Sequence, residues 1–159
     1  MSKVQERSRA EVLAARQAKR AHAESLGVDE AFVSRMVEEF YAAIRVDALL
    51  GPIFAERISD WPHHLDRMKS FWRSILFNSG EFSGNPMIKH MVIPDLEERH
   101  FAHWLELFYE NLRKLESDPD GTSLVATRAR SIADSLLTGI AMRRDGLGGS
   151  RAGENLPYA

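Results

Sequence analysis

Residues 87–94 read MIKHMVIP, a mostly apolar run that carries one histidine and is closed by Pro94. An imidazole in a burial-prone stretch costs free energy unless both of its ring nitrogens find partners. No carboxylate or cysteine stands beside His90 to serve as one. Taken alone, such a histidine is more often a satisfied core residue than a ligand. Its meaning therefore depends on which other residues the chain brings to it.

The chain has 159 residues, enough for one domain with a real core. Apolar residues make up 44% and charged residues 28%, the balance of an ordinary globular protein. With a formal net charge of −2, nucleic acid is not an expected partner. There is no cysteine, which excludes disulfides, iron–sulfur clusters and thiolate zinc sites. Any metal must be held by histidine or carboxylate. No apolar run is long enough to span a bilayer, and the polar N-terminus does not read as a signal peptide. The expectation is a cytoplasmic protein with no membrane partner.

Working outward from MIKHMVIP, every long segment has helical periodicity and none alternates like a strand. Residues 5–26 favour helix by propensity but have only a thin apolar stripe. Lys3, Arg7, Arg9, Arg16, Lys19 and Arg20 make this segment locally basic, and it reads as a solvated helix. Gly27 ends it, and Asp29 is placed to cap the next helix. Over 30–46, Phe32, Met36, Phe40 and Ile44 form one line, with Val33, Val37 and Tyr41 beside it. Gly51-Pro52 reads as a turn, with Phe54 in the short connection that follows. Asp60-Trp61-Pro62 opens a third helix whose inner line is His64, Met68, Phe71, Trp72 and Ile75. NSGEFSGNP, 78–86, reads as loop, and MIKHMV as a short helix. Asp95 and Glu98 suggest a capping box for a helix bearing Phe101, Trp104, Leu105, Phe108, Leu112 and Leu115. Residues 118–121 read as a turn. A last helix over 122–143 places Val125, Ile132, Leu136 and Ile140 on one face. The Gly-rich stretch 144–159 reads as a flexible tail. The expected organisation is an N-terminal helical extension over 1–28, a domain over 29–143 and the tail, all of it α-helical.

Six histidines are candidates for chemistry. His100 and His103 lie one turn apart and offer a zinc or iron pair, and Glu97-x-x-His100 matches half of a di-iron carboxylate motif. The second half of that motif does not occur, so the pair reads better as flanking surface residues. His63 and His64 point about 100° apart and cannot share a site. His64 follows the inner line, and His63 faces solvent. His90, Tyr41, His64 and Trp104 are polar-tipped residues at inward positions of four different segments, with Phe40, Phe54, Met68, Phe71, Met91 and Phe101 between them. One histidine holds a free divalent ion poorly. It suffices for an iron that already has four pyrrole ligands and needs one axial imidazole in an apolar slot.

On these residues the stretch from 29 to 142 resembles a truncated haemoglobin, of the group III branch. The carriers are FY at 40–41, LGPIF at 50–54, W-x-x-H at 61–64, FW at 71–72, F-x-G-x-P at 82–86, His90, and HFAHWLELF at 100–108. The Gly-Gly motifs typical of the other two groups are missing from the matching loops. The resemblance implies a two-over-two helical sandwich around haem b (iron protoporphyrin IX), with the segment 1–28 and the tail as departures. It implies His90 as the proximal ligand to iron, and Tyr41, His64 and Trp104 on the distal side. Phe40, Phe54, Met68, Phe71, Met91 and Phe101 become wall residues, and Arg67 a candidate for a haem propionate.

In that reading His90 Nδ1–H donates to a backbone carbonyl one turn earlier, and no carboxylate is placed to push electron density toward the iron. Two donors on a partly anionic ligand, each worth about 1.5–3 kcal/mol, would slow O2 release by on the order of 10²–10⁴. This favours O2 and NO chemistry or ligand scavenging at a penta-coordinate iron over bulk transport. Nitric-oxide dioxygenase or peroxidase-like turnover fits, and so does a haem-based sensor or interaction protein without turnover. The expected partners are O2, NO, CO and a separate reductase, since the chain has no flavin or nicotinamide domain, in a monomer or weak dimer. Catalytic residues are not assigned.

Overall fold

A computed structural model describes residues 3–115 and 117–159, with the backbone alone at 3–7. Lys3 and Arg7 of the basic segment thus lie outside the described side chains. Among the described residues seven α-helices run in order: α1 Lys3–Ser25, α2 Glu30–Val46, α3 Gly51–Arg57, α4 Trp61–Phe77, α5 Pro86–Met91, α6 Glu98–Lys114 and α7 Pro119–Asp145. No strand occurs among the described residues, and no described helix is long and apolar enough to cross a membrane. Helix α2 packs on α4 and on α6, and α6 packs on α7, which gives two helical pairs joined through α2 and α6. Helix α1 lies against α4, and α5 rests on α7.

The periodicity of α2 explains its central place. Phe32, Val33, Met36, Val37, Phe40, Tyr41 and Ile44 are all buried, and full burial of a large apolar side chain stabilises by about 1.5–3 kcal/mol. Asp29 caps the helix, its Oδ1 accepting from Phe32 N at 2.8 Å. Phe40 is the aromatic hub. Tyr41, Trp104 and Phe108 meet it edge to face at 5.1–5.3 Å, an arrangement the ring quadrupoles favour. Phe108 is sandwiched between Trp72 and Trp104, with ring centroids 5.2 and 5.4 Å away. Asn111, buried on α6, donates to Met36 O at 3.0 Å and so ties α6 to α2.

Four local expectations are corrected. The Gly51-Pro52 turn is the start of α3: Pro52 sits in its first turn, and Asp47 Oδ2 accepts from Leu49 N and Leu50 N just ahead of it. Gly51 is needed there, because a Cβ would stand 3.0 Å from Arg45 O. Second, α6 begins after Glu97, not after Asp95. Asp95 has a left-handed φ of 61° in the preceding turn, and His100 Nδ1 accepts from Glu97 N at 3.0 Å. Third, α7 starts at Pro119, capped by Asp118 Oδ1 accepting from Asp120 N at 2.8 Å. Its buried row is Val125, Ala129, Ala133, Leu137 and Ala141, while Ile132 and Leu136 are only half-buried. Three of these five are alanines, so small side chains carry much of the buried face.

Fourth, the Gly-rich tail folds back over α7 instead of leaving the domain. Leu156 is buried, and Tyr109 Oη donates to Pro157 O at 2.7 Å. Arg130 Nη2 donates to Leu156 O at 3.2 Å, and its guanidinium lies over the Tyr158 ring at 3.7 Å. Gly149 and Gly153 permit the fit, since a Cβ at either would collide with Ala141 or Asp134.

Candidate functional site

His90 is carried by the six-residue helix α5, which is built to present it. Asn85 Oδ1 accepts from Ile88 N at 3.2 Å, and Pro86 occupies the first turn, where its missing N–H costs nothing. His90 Nδ1 lies 2.6 Å from Pro86 O, one turn back. A carbonyl only accepts, so the proton sits on Nδ1, and Nε2 keeps its lone pair for a metal. This is the hydrogen bond expected from the sequence. No residue of α5 is fully buried, and His90 itself is half-buried.

Across from it, α4 presents two faces. Trp72, Leu76 and Phe77 are buried in the core. His64, Met68, Phe71 and Ile75, the line read from the sequence, are only half-buried, so a second apolar face remains. Lys89 of α5 is close enough for its positive charge to act on His64. Asp60 Oδ1 caps α4 through His63 N at 3.1 Å; His63 is exposed and His64 turns inward.

His64 meets Tyr41 edge to face, with ring centroids 5.1 Å apart. Its Nε2 is buried with no hydrogen-bond partner among the described residues. Burial, followed by the charges of Lys89, Arg67 and His63, pushes the imidazole down to about 4, so it is neutral at pH 7. The Tyr41 hydroxyl is buried beside it, and burial pushes the phenol up, so it remains a donor. Phe54 lies 5.9 Å from the Tyr41 ring, and Trp104 reaches the same region through the edge of Phe40. Phe71 meets Phe82 of the loop at 5.2 Å, and Phe101 is buried. Met91 Sδ accepts from Arg143 Nη1 at 3.4 Å.

Arg67 is placed differently from a free surface arginine. Its guanidinium lies over Phe82 at 5.2 Å, and Nη2 donates to Ser83 O at 3.3 Å, so it ties α4 to the loop before α5. The His100–His103 pair does not converge. His100 is spent on the α6 cap, and His103 Nε2 pairs with Asp47 Oδ1 at 2.8 Å. Burial raises the Asp47 carboxyl, but the His103 and backbone N–H hydrogen bonds outweigh it and hold the net value down. Among the described residues no cluster of three or more His, Asp or Glu side chains could hold a metal.

Sequence reasoning missed Trp61 as a lining residue. It lies 5.6 Å from the His64 ring and 6.2 Å from Tyr41, with Arg45 stacked 4.5 Å over it. The i,i+3 spacing of Trp61 and His64 was the available signal, since it places both on one side of α4.

These residues fit a flat apolar group bound through one axial imidazole. His90 offers a single metal-binding nitrogen, α4 offers an apolar face, and the buried Nε2 of His64 has no hydrogen-bond partner among the described residues. No family model matches the chain. The chain is 30% identical over 110 residues to the Group 3 truncated hemoglobin ctb of Campylobacter jejuni, spanning 67% of this chain and 86% of that protein. It is similar to the crystal structure of a group III truncated hemoglobin from Campylobacter jejuni, with a TM-score of 0.64 at 29% identity over 68% of this chain and 87% of that one. With sequence and helical architecture agreeing over two-thirds of its length, this protein belongs to the group 3 truncated haemoglobins.

Proposed function

We propose that the protein binds haem b through His90 Nε2 and uses the side of Tyr41, His64 and Trp104 to hold a diatomic ligand: O2, NO or CO. Haem, when bound, would supply an iron able to take up a diatomic ligand. Phe40, Phe54, Met68, Phe71, Met91 and Phe101 form the apolar wall, and Arg67 is within the set that would meet a propionate if its loop contact is exchanged. The observation that carries this reading is the His90–Pro86 hydrogen bond, because it fixes the tautomer that leaves Nε2 as a ligand atom.

The distal residues supply hydrogen bonds without charge. Tyr41 donates and does not ionise at neutral pH; His64 stays neutral and can accept or donate at Nε2. A ligand that gains negative charge is thereby held more tightly than one that does not. The partner of His90 is a carbonyl, not a carboxylate, so the proximal side lacks the anionic push that suits peroxide cleavage. This supports O2 and NO chemistry, such as oxidation of nitric oxide to nitrate, or ligand scavenging, with electrons from a separate reductase.

The test is the absorption spectrum of the purified protein, with a pyridine haemochrome to identify the haem. A Soret band and a b-type haemochrome at one haem per chain are expected. A protein reconstituted with haem that shows no Soret band contradicts the proposal. Consumption of nitric oxide by the oxygenated protein, with nitrate as product, tests the redox reading separately.

A further inference from the structure

Helix α5 is too short to hold itself in place. It has six residues and no fully buried side chain, and the helix it packs on is α7. Isolated helices of this length are unstable in water, so the position of His90 depends on how α5 is seated.

Three contacts make that seat. Gly139 of α7 faces Met87: a Cβ at position 139 would stand 2.5 Å from Met87 Cε and 2.7 Å from Sδ. One turn further along both helices, Arg143 Nη1 donates to Met91 Sδ at 3.4 Å. Beyond α5, Arg144 Nη2 donates to Leu96 O at 3.1 Å. Residues 87 and 91 are one turn apart, as are 139 and 143, so the two methionines pack in register on one stripe of α7. His90 lies between them in the chain, bonded to Pro86 of the same helix. Unless the Met87 side chain swings aside on its own, displacing it displaces the turn that carries the imidazole.

We infer that Gly139 is a positioning residue that sets the height and tilt of His90 by letting Met87 lie against the bare backbone of α7. The inference rests on His90 as the haem ligand; Gly139 touches neither haem nor ligand in this scheme. Helix propensity by itself favours alanine at this mid-helix position, so an adverse effect of a single methyl group there points to the Met87 contact. Methionine is adaptable, and the alternative is that Met87 swings aside alone and leaves His90 unmoved.

The experiment compares haem-loaded wild type, Gly139→Ala, Met87→Ala and the double variant. It reads the iron–histidine stretch of the ferrous, ligand-free protein by resonance Raman, and the rate of haem transfer to an apo-acceptor. Gly139→Ala is expected to shift the stretch and to speed haem transfer about ten-fold, equivalent to ~1.4 kcal/mol. The double variant, where the shortened side chain makes room for the new methyl, should return the stretch toward wild type. An unmoved stretch in Gly139→Ala overturns the inference, as does a shift that the double variant does not reverse. If Gly139→Ala does not fold, Met87→Leu replaces it, since a forked side chain cannot lie flat on the glycine; a shifted stretch supports the seat and an unshifted one overturns it. A wild type without a Soret band removes the haem reading itself, whereas a wild-type band with unmoved variants removes only the seat.

Discussion

Tyr41 and His64 stand ring to ring, and burial drives both toward their uncharged forms: the phenol upward, the imidazole downward. Replacing Tyr41 with Phe removes a donor from a charged or partly charged ligand. O2 dissociation, followed by stopped flow, should accelerate about ten- to a hundred-fold. CO dissociation should change far less, and equal effects on both ligands would argue against hydrogen-bond control. His64 carries a pH signature with a defined sign. Its ordinary value is 6.5 and its folded value about 4, so between those limits the unfolded chain binds a proton that the folded chain refuses. Stability therefore falls as pH drops from 6.5 toward 4, while above 6.5 this group has no effect. Urea midpoints at pH 7 and pH 5 should converge in His64→Leu relative to wild type; an unchanged gap would contradict the assignment. At this scale the sequence was informative about identity and silent about partners. The inward placement of Tyr41 and His64 is legible from helical spacing. The pairing of His103 with Asp47, 56 positions earlier in the chain, and the stacking of Arg67 on Phe82 are long-range contacts that no local pattern encodes.

Among the elements, α2 and α4 were readable almost to the residue, because Asp29 and Asp60 are side-chain caps placed before clear apolar lines. The start of α6 was not, because its cap uses an imidazole, outside the usual Ser, Thr, Asp and Asn set. Helix α3 hid behind a Gly-Pro pair that serves equally as a turn or a helix start. The packing face of α7 was read correctly at Val125 and Ile140 and missed at Ala129 and Ala133, because weight fell on its large residues. Helix α5 is the element on which the proposed function turns, and Asn85 caps it. Asn85→Ala removes the Asn85–Ile88 hydrogen bond and should cost about 0.5–2 kcal/mol of the local stability of α5 rather than of the core. The expected outcome is faster haem loss with the core intact, read as a raised haem-transfer rate beside an unchanged urea midpoint of the apoprotein. A lowered apoprotein midpoint with an unchanged transfer rate would place the cap's importance elsewhere.

Over the whole molecule, the two helical pairs could be inferred from periodicity and family resemblance, while the two termini could not. Residues 3–25 form the helix that propensity suggests, yet its end is part of the fold: Ala23 is buried, and Arg20 lies 5.2 Å over Phe77. The tail was misread because glycine content signals freedom only when nothing holds the chain. Here Leu156, Pro157 and Tyr158 find partners on α6 and α7. Leu156→Ala should therefore destabilise the protein by about 2–5 kcal/mol, the range for a buried leucine; a denaturation midpoint equal to wild type would show that the tail does not pack. The proposed function rests on one side chain offered to one cofactor, and this is best tested by emptying that position. His90→Gly, reconstituted with haem, should lack the wild-type Soret band and regain it when imidazole is added to fill the place of the lost ring. A full-strength band in His90→Gly without imidazole would contradict the account.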